Sequence, residues 1–144
     1  MLFGTSFDYG VRKNFDLATR AVALLDNVEL LEIKNINREK VNLLMNACDL
    51  MLLTSFFEGS PQVVKEAMAC NCPIVTTDVG DVREVIGNTE GCYITTYEPE
   101  DVAAKIILAL EFGKRTNGRE RMGAYENSVI ADRIIGIYKE VLGR

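Results

Sequence analysis

The feature that most constrains this fold is Leu50-Met51-Leu52-Leu53, four apolar residues in a row that are closed by Thr54 and Ser55. A strand with one wet face alternates apolar and polar residues. A continuous apolar run is instead what a parallel strand requires when helices cover both of its faces. The run is far shorter than the roughly 20 residues needed to cross a bilayer. It therefore reads as the central strand of a sheet, and Pro61 then starts a helix running to about Cys70.

The rest of the chain alternates in the same way. Leu2 and Phe3 suggest a short strand ending at Gly4-Thr5-Ser6, with a polar loop containing Gly10 after it. Residues 15–25 place Phe15, Ala18, Val22 and Leu25 on one helical face. Residues 28–33 form a strand, and Asn37 caps a helix carrying Val41, Leu44, Met45 and Cys48 at helical spacing. Ile74-Val75 and Tyr93-Ile94 are further strands. Helices are expected at 82–86 after Gly80, at 99–112 with Val102, Ile106, Ala109 and Leu110 as packing positions, and at 130–142. This alternation predicts an α/β fold with a Rossmann-like, mostly parallel sheet and helices on both faces. Ligands of such sheets bind beyond the carboxyl ends of the strands.

At 144 residues, with no Pro-rich, Gly/Ser-rich or repetitive stretch, residues 1–144 read as a single domain. There is no histidine, which removes Ser-His-Asp and Cys-His mechanisms, imidazole bases and nearly all catalytic zinc sites. The work falls to carboxylates, amides, hydroxyls, Lys and Arg. Cys48, Cys70, Cys72 and Cys92 lie in or beside apolar segments and read as reduced and structural, with Cys70-x-Cys72 unsupported as a metal site. A net charge of -5 sets the surface against nucleic acid. The N-terminus lacks the pattern of a secretory signal, so a cytoplasmic location is expected. Arg115, Arg119 and Arg121 read as a solvated basic face; the other reading is peripheral attraction to an anionic membrane surface, which would put the protein at its inner face.

The chemistry concentrates in residues 54–69, which follow the central strand and open a helix. Gly59 lets the backbone approach a ligand closely, Ser60 suits an N-cap and Pro61 the first helical position, so free amides and the positive helix end face an anion such as a phosphate. Glu66 lies on the same helical face as Gln62, within an apolar stretch where a carboxylate needs a hydrogen-bonding partner. Two adjacent sugar hydroxyls would match its two oxygens. Glu58, in the preceding loop, would reach another part of the same ligand. Gly80 reads as a turn glycine, with a place in the site as the other reading.

The pattern Ser-x-x-Glu-Gly-x-Pro-x-x-x-x-Glu-Ala-Met-Ala, followed by Pro-Ile-Val and Asp-Val-Gly, is similar to the donor-binding signature of the retaining GT-B glycosyltransferases, group 1 and family-4-like. The similarity extends over Lys13-Asn14, residues 49–55, 73–84 and 99–103. It implies a nucleotide-sugar-binding C-terminal half whose N-terminal acceptor domain is absent from this chain, so that the chain alone would not turn over. By resemblance Glu66 binds the ribose hydroxyls and Glu58, the catalytic candidate, contacts hydroxyls of the transferred sugar. Lys13 or Arg12 neutralises the diphosphate, with Gly59, Ser60, Pro61 and Gln62 lining it, and the turn near Lys34 and Asn35 lies near the base. The leaving diphosphate assists attack by an acceptor hydroxyl of a glycan or lipid-linked sugar. No metal or other cofactor is implied, and the setting suggested is polysaccharide biosynthesis at a membrane. Two departures are that Arg12 directly adjoins Lys13, and that the stretch before Val28 is short, which implies a smaller sheet.

Other functions remain open at this point. A receiver-like signalling domain needs an acidic pair after the first strand, where this chain has Thr5-Ser6, and Asp49 precedes its strand. A non-catalytic nucleotide-sugar-binding module would keep the fold without the reaction, and the intact Glu58/Glu66 pair argues against it. An epimerase on the same fold shares the fold more than the motif.

Overall fold

The structure, a computed structural model, describes residues 1–4 and 10–143. Five strands, β1 (Leu2–Phe3), β2 (Leu31–Glu32), β3 (Met51–Leu53), β4 (Ile74–Thr77) and β5 (Cys92–Thr95), form one sheet in the order β2-β1-β3-β4-β5. Every neighbouring pair is parallel, with Leu2 beside both Leu31 and Met51, Met51 beside Ile74, and Ile74 beside Cys92. The helices are α1 (Gly10–Lys13), α2 (Phe15–Val22), α3 (Arg38–Ala47), α4 (Gln62–Ala69), α5 (Val82–Ile86), α6 (Pro99–Phe112), α7 (Arg119–Met122) and α8 (Asn127–Leu142), with a 3-10 turn at Gly123–Tyr125.

The apolar run of β3 is divided between two cores. Met51 and Leu53 join Ile74 on one face, under Met45 of α3, Val64, Ala67 and Met68 of α4, and Val82 and Val85 of α5. Leu50 and Leu52 join Val75 on the other, under Leu17, Ala18 and Ala21 of α2 and Val102, Ile106 and Ala109 of α6. All four residues of the run are fully buried. Each stabilises the fold by about 1.5–3 kcal/mol relative to exposure, which is why the run admits no polar residue.

Local signals account for several boundaries. Asn37 caps α3 by accepting a hydrogen bond from the Lys40 amide at 2.9 Å. Helix α6 begins on Pro99 and stops at Gly113, whose φ of 62° only glycine adopts freely. Asp101 in its first turn accepts from Thr95 Oγ1 and from the amide and hydroxyl of Thr96; the amide bond is the leading reason its carboxyl sits below its ordinary range.

Other elements differ from expectation. α2 ends at Val22 because the chain tightens: Leu24 and Leu25 bond three residues back, to Ala21 and Val22, and Asn27 turns left-handed. β2 is two residues long because its ladder partner β1 offers only Leu2 and Phe3. The predicted end of the first strand at Thr5-Ser6 lies outside the described residues, and Gly10 opens a helix.

Arg115 and Arg121 are exposed, as a solvated basic face requires, but their guanidinium groups also hold the backbone. The Arg115 guanidinium donates to the carbonyls of Met45 (2.7 Å), Cys48 (3.0 Å) and Cys70 (2.9 Å), at the carboxyl ends of α3 and α4. Arg121 donates to Glu84 and Val85 at the end of α5. Both meet the negative ends of helix dipoles and carbonyls that lack intrahelical partners. The cysteines are free, and burial pushes the Cys72 and Cys92 thiols up to about 11 and about 12.

Candidate functional site

Because β1 leads to β2 on one side and β3 lies on its other side, the sheet reverses its winding between β1 and β3. Loops leaving the carboxyl ends of these two strands diverge there and leave a crevice. Lys13 follows the first of them and Glu58 the second.

Buried hydroxyls stitch the two segments together. Thr54 Oγ1 donates to the carbonyls of Lys13 (3.2 Å) and Asn14 (2.9 Å), and the Phe56 amide donates to the Arg12 carbonyl. Asn14 adopts a left-handed conformation, φ 49°, which ends α1 and turns the chain into α2. These contacts bring Lys13 Nζ to 2.5 Å from Glu58 Oε1, and Ser55 Oγ donates to the same oxygen at 2.8 Å. Burial pushes the Glu58 carboxyl up, but the bonds from Lys13 and Ser55 and the charges of Lys13 and Arg12 together hold it below its ordinary range. Arg12 itself is exposed.

The loop after β4 supports this segment from behind. A Cβ at Gly80, φ 56°, would lie 2.1 Å from the Gly59 carbonyl oxygen, so only glycine lets the two loops touch. The Cβ position of Gly59 is open instead, with nothing within 4 Å. Thr77 Oγ1 donates to the Ser55 carbonyl at 2.6 Å. Ser60 is not the N-cap: Oγ donates to Asp81 Oδ2 at 2.6 Å and accepts from Lys65, which is also 3.3 Å from that Asp81 oxygen. A loop carboxylate beyond β4 thus outcompetes the helix end for the hydroxyl. Asp81 Oδ1 is buried without a partner among the described residues. Tyr97 stacks on Phe56, centroids 5.3 Å apart, and its hydroxyl donates to the Phe56 carbonyl.

Pro61 takes the N-cap position of α4 rather than the first helical one, and it brings no side-chain acceptor to the helix end. The first amides of α4 therefore keep their partial positive charge uncapped. Glu66, in the middle of α4, is half-buried, and among the described residues no hydrogen bond reaches its carboxylate. Burial pushes its carboxyl up, and only the charge of Arg38 opposes this. Glu66 lines a cleft of about 430 Å³ between α3 and α4, together with Arg38, Asn42, Met45, Cys70 and Arg119.

The sequence matches the family described as glycosyl transferases group 1 over residues 8–128. The chain belongs to that family. Among curated relatives of this group 1 glycosyltransferase chain, it is 35% identical over 108 residues to the N,N'-diacetylbacillosaminyl-diphospho-undecaprenol alpha-1,3-N-acetylgalactosaminyltransferase of Campylobacter jejuni, covering 71% of this chain and 28% of that protein. It is 31% identical over 108 residues to the N-acetyl-alpha-D-glucosaminyl L-malate synthase of Bacillus anthracis, covering 72% and 28%. A putative teichuronic acid biosynthesis glycosyltransferase of Bacillus subtilis is 38% identical over 60 residues, 42% of this chain and 15% of that protein. The chain thus spans under a third of the length of these relatives.

In this glycosyltransferase chain, Lys13, Glu58, Gly59, Ser60, Pro61 and Gln62 gather at one strand edge, with Arg12 outside the ion pair. Glu66 stands on the helix behind them, sharing no partner with Glu58. Ser55, Lys65, Asp81 and Tyr97 also shape the loop, and sequence reasoning missed them: Asp81 and Tyr97 reach it from beyond β4 and β5, and no spacing signals the bonds from Ser55 to Glu58 and from Lys65 to Ser60. A larger cavity of about 530 Å³, lined by Asn88, Glu90, Lys114 and Asn117 among others, lies at the amino end of β5. Its two guanidinium groups, from Arg115 and Arg121, are already spent on backbone carbonyls. No described helix is long and apolar enough to cross a membrane.

Proposed function

We propose that this chain is the donor-binding half of a retaining glycosyltransferase that moves a sugar from a nucleoside diphosphate to an acceptor hydroxyl. One observation carries the reading: Glu66 is a half-buried carboxylate to which, among the described residues, no hydrogen bond is made, on the helix that starts at the strand edge where Lys13 meets Glu58. A carboxylate so placed can take donors from a ligand that displaces water from the cleft, and the two ribose hydroxyls match its two oxygens. Lys13 and the uncapped amides of α4 take the diphosphate. Glu58 accepts from hydroxyls of the transferred sugar.

The bond from the anomeric carbon to the diphosphate breaks as the acceptor oxygen joins the same face. The acceptor proton passes to a phosphate oxygen, so configuration is retained. The protein supplies positioning and charge stabilisation rather than a nucleophile. The acceptor is placed by a part of the protein beyond this chain, which alone binds donor without turnover. Two relatives carry an N-acetylhexosamine in their names, which favours such a sugar in the donor. The undecaprenol-linked substrate named for one of them favours a lipid-linked acceptor.

Calorimetric titration with UDP, GDP, UDP-N-acetylglucosamine, UDP-N-acetylgalactosamine, UDP-glucose and GDP-mannose tests this. One nucleotide series should bind in the micromolar-to-millimolar range. Glu66→Ala should weaken it by about tenfold or more, the scale of one lost charge-assisted hydrogen bond. Equal affinity in the folded variant would remove Glu66 from the site.

A further inference from the structure

We infer that Glu58 makes the site discriminate between a nucleotide sugar and a bare nucleoside diphosphate, by its hold on Lys13; this rests on the donor-site reading above. The side chains of Lys13 and Glu58 are 12% and 10% exposed, against 70% and 49% for the Arg83–Asp78 pair. The Lys13–Glu58 pair is thus shielded from the solvent and salt that weaken surface pairs. Lys13 and Ser55 both bond to Oε1, and among the described residues nothing is bonded to Oε2.

The pair faces the two kinds of nucleotide unequally. A bare diphosphate meets an ammonium already neutralised by Glu58. To draw on Lys13 it must sit near a carboxylate of its own sign, and it leaves that carboxylate short of a partner. A nucleotide sugar incurs the same repulsion but brings hydroxyls that can donate to Glu58, at Oε2 beside the oxygen that Lys13 and Ser55 already hold. The penalty falls on every nucleotide, and only those that carry a sugar offset it. Specificity is such a difference between two affinities, and an unpaired charge left with the wrong ligand is one way to create it. The same arrangement serves release: once the sugar has gone, Glu58 retakes Lys13 and the product diphosphate loses its cation.

The test compares wild type with Glu58→Gln and Glu58→Ala, two variants that remove the charge with different side-chain volumes. Each is checked for fold by circular dichroism and titrated with UDP, GDP and their sugar derivatives. Both should bind the preferred bare nucleoside diphosphate roughly three- to tenfold more tightly than wild type and its nucleotide sugar more weakly, so that the preference for the sugar form collapses. Bare-diphosphate affinity that is unchanged or weaker in the folded variants would overturn the inference while leaving the donor site standing. Failure of wild type and variants alike to bind any nucleotide would remove the donor site itself, and this inference with it.

Discussion

Helices α4 and α8 both carry apolar residues at helical spacing, yet they meet opposite fates. In the eight residues of α4, Val64, Ala67 and Met68 are buried and Glu66 is left at the cleft. In the 16 residues of α8 none is buried, and Ile134, Ile137, Tyr138 and Val141 stand on the surface. A periodic pattern specifies a face that seeks cover, and cover depends on what the fold brings opposite. For α4 it brings α3, α5 and the sheet; for α8 nothing among the described residues buries a side chain. Stability therefore rests on the helices that cover the sheet, α2 to α6, and the last helix contributes little to it.

Met68→Ala should sharpen this contrast most. It opens a cavity beneath α4 at a fully buried position and should cost about 2–5 kcal/mol in urea denaturation. Gly80→Ala comes next. Its left-handed backbone and the Gly59 carbonyl leave no room for a methyl group, and a loss of about 1–3 kcal/mol should accompany weaker nucleotide binding as the loop shifts. Comparable effects from Ile137→Ala in α8 would break the comparison.

Glu66 offers a third, smaller effect with a defined sign. Burial raises its folded pKa above the unfolded one. The protonated form thus favours the folded state, and its share of stability is present below the unfolded pKa and lost as pH rises through the folded pKa. If Glu66 takes ribose hydroxyls as proposed, donor binding needs the ionised form, so affinity should fall as pH is lowered, beginning at a higher pH than an ordinary glutamate would give. A calorimetric pH series checks this, and Glu66→Gln should flatten the profile. Smallest of all, deleting residues 127–144 should change the unfolding free energy by about 0.5 kcal/mol or less, while a loss comparable to that of Met68→Ala would show that α8 packs on the domain after all.

How far the sequence could be read depended on where each interaction closed. β3 was legible because burial on both faces leaves an unbroken apolar run, and α3 and α6 because Asn37, Pro99 and Gly113 act within a turn of their own helix. The Glu58-to-Glu66 spacing was legible for the same reason, being contained in one loop and one helix. The bonds of Arg115 were not legible because its carbonyl partners lie in Met45, Cys48 and Cys70, far back in the chain. Ser60 was misread because Asp81, which engages its hydroxyl, comes from another loop. Four-residue α7, preceded by Gly118 and followed by Gly123, is too short for periodicity to register.

The claim that binding belongs to the carboxyl edge of the strands is tested most directly by nitrogen-15 NMR titration with the nucleotide that calorimetry selects. Amide shifts should cluster at residues 12–14 and 54–66, with α8 silent. Shifts centred on residues 88–90 and 114–117, at the opposite edge and the larger cavity, would contradict it.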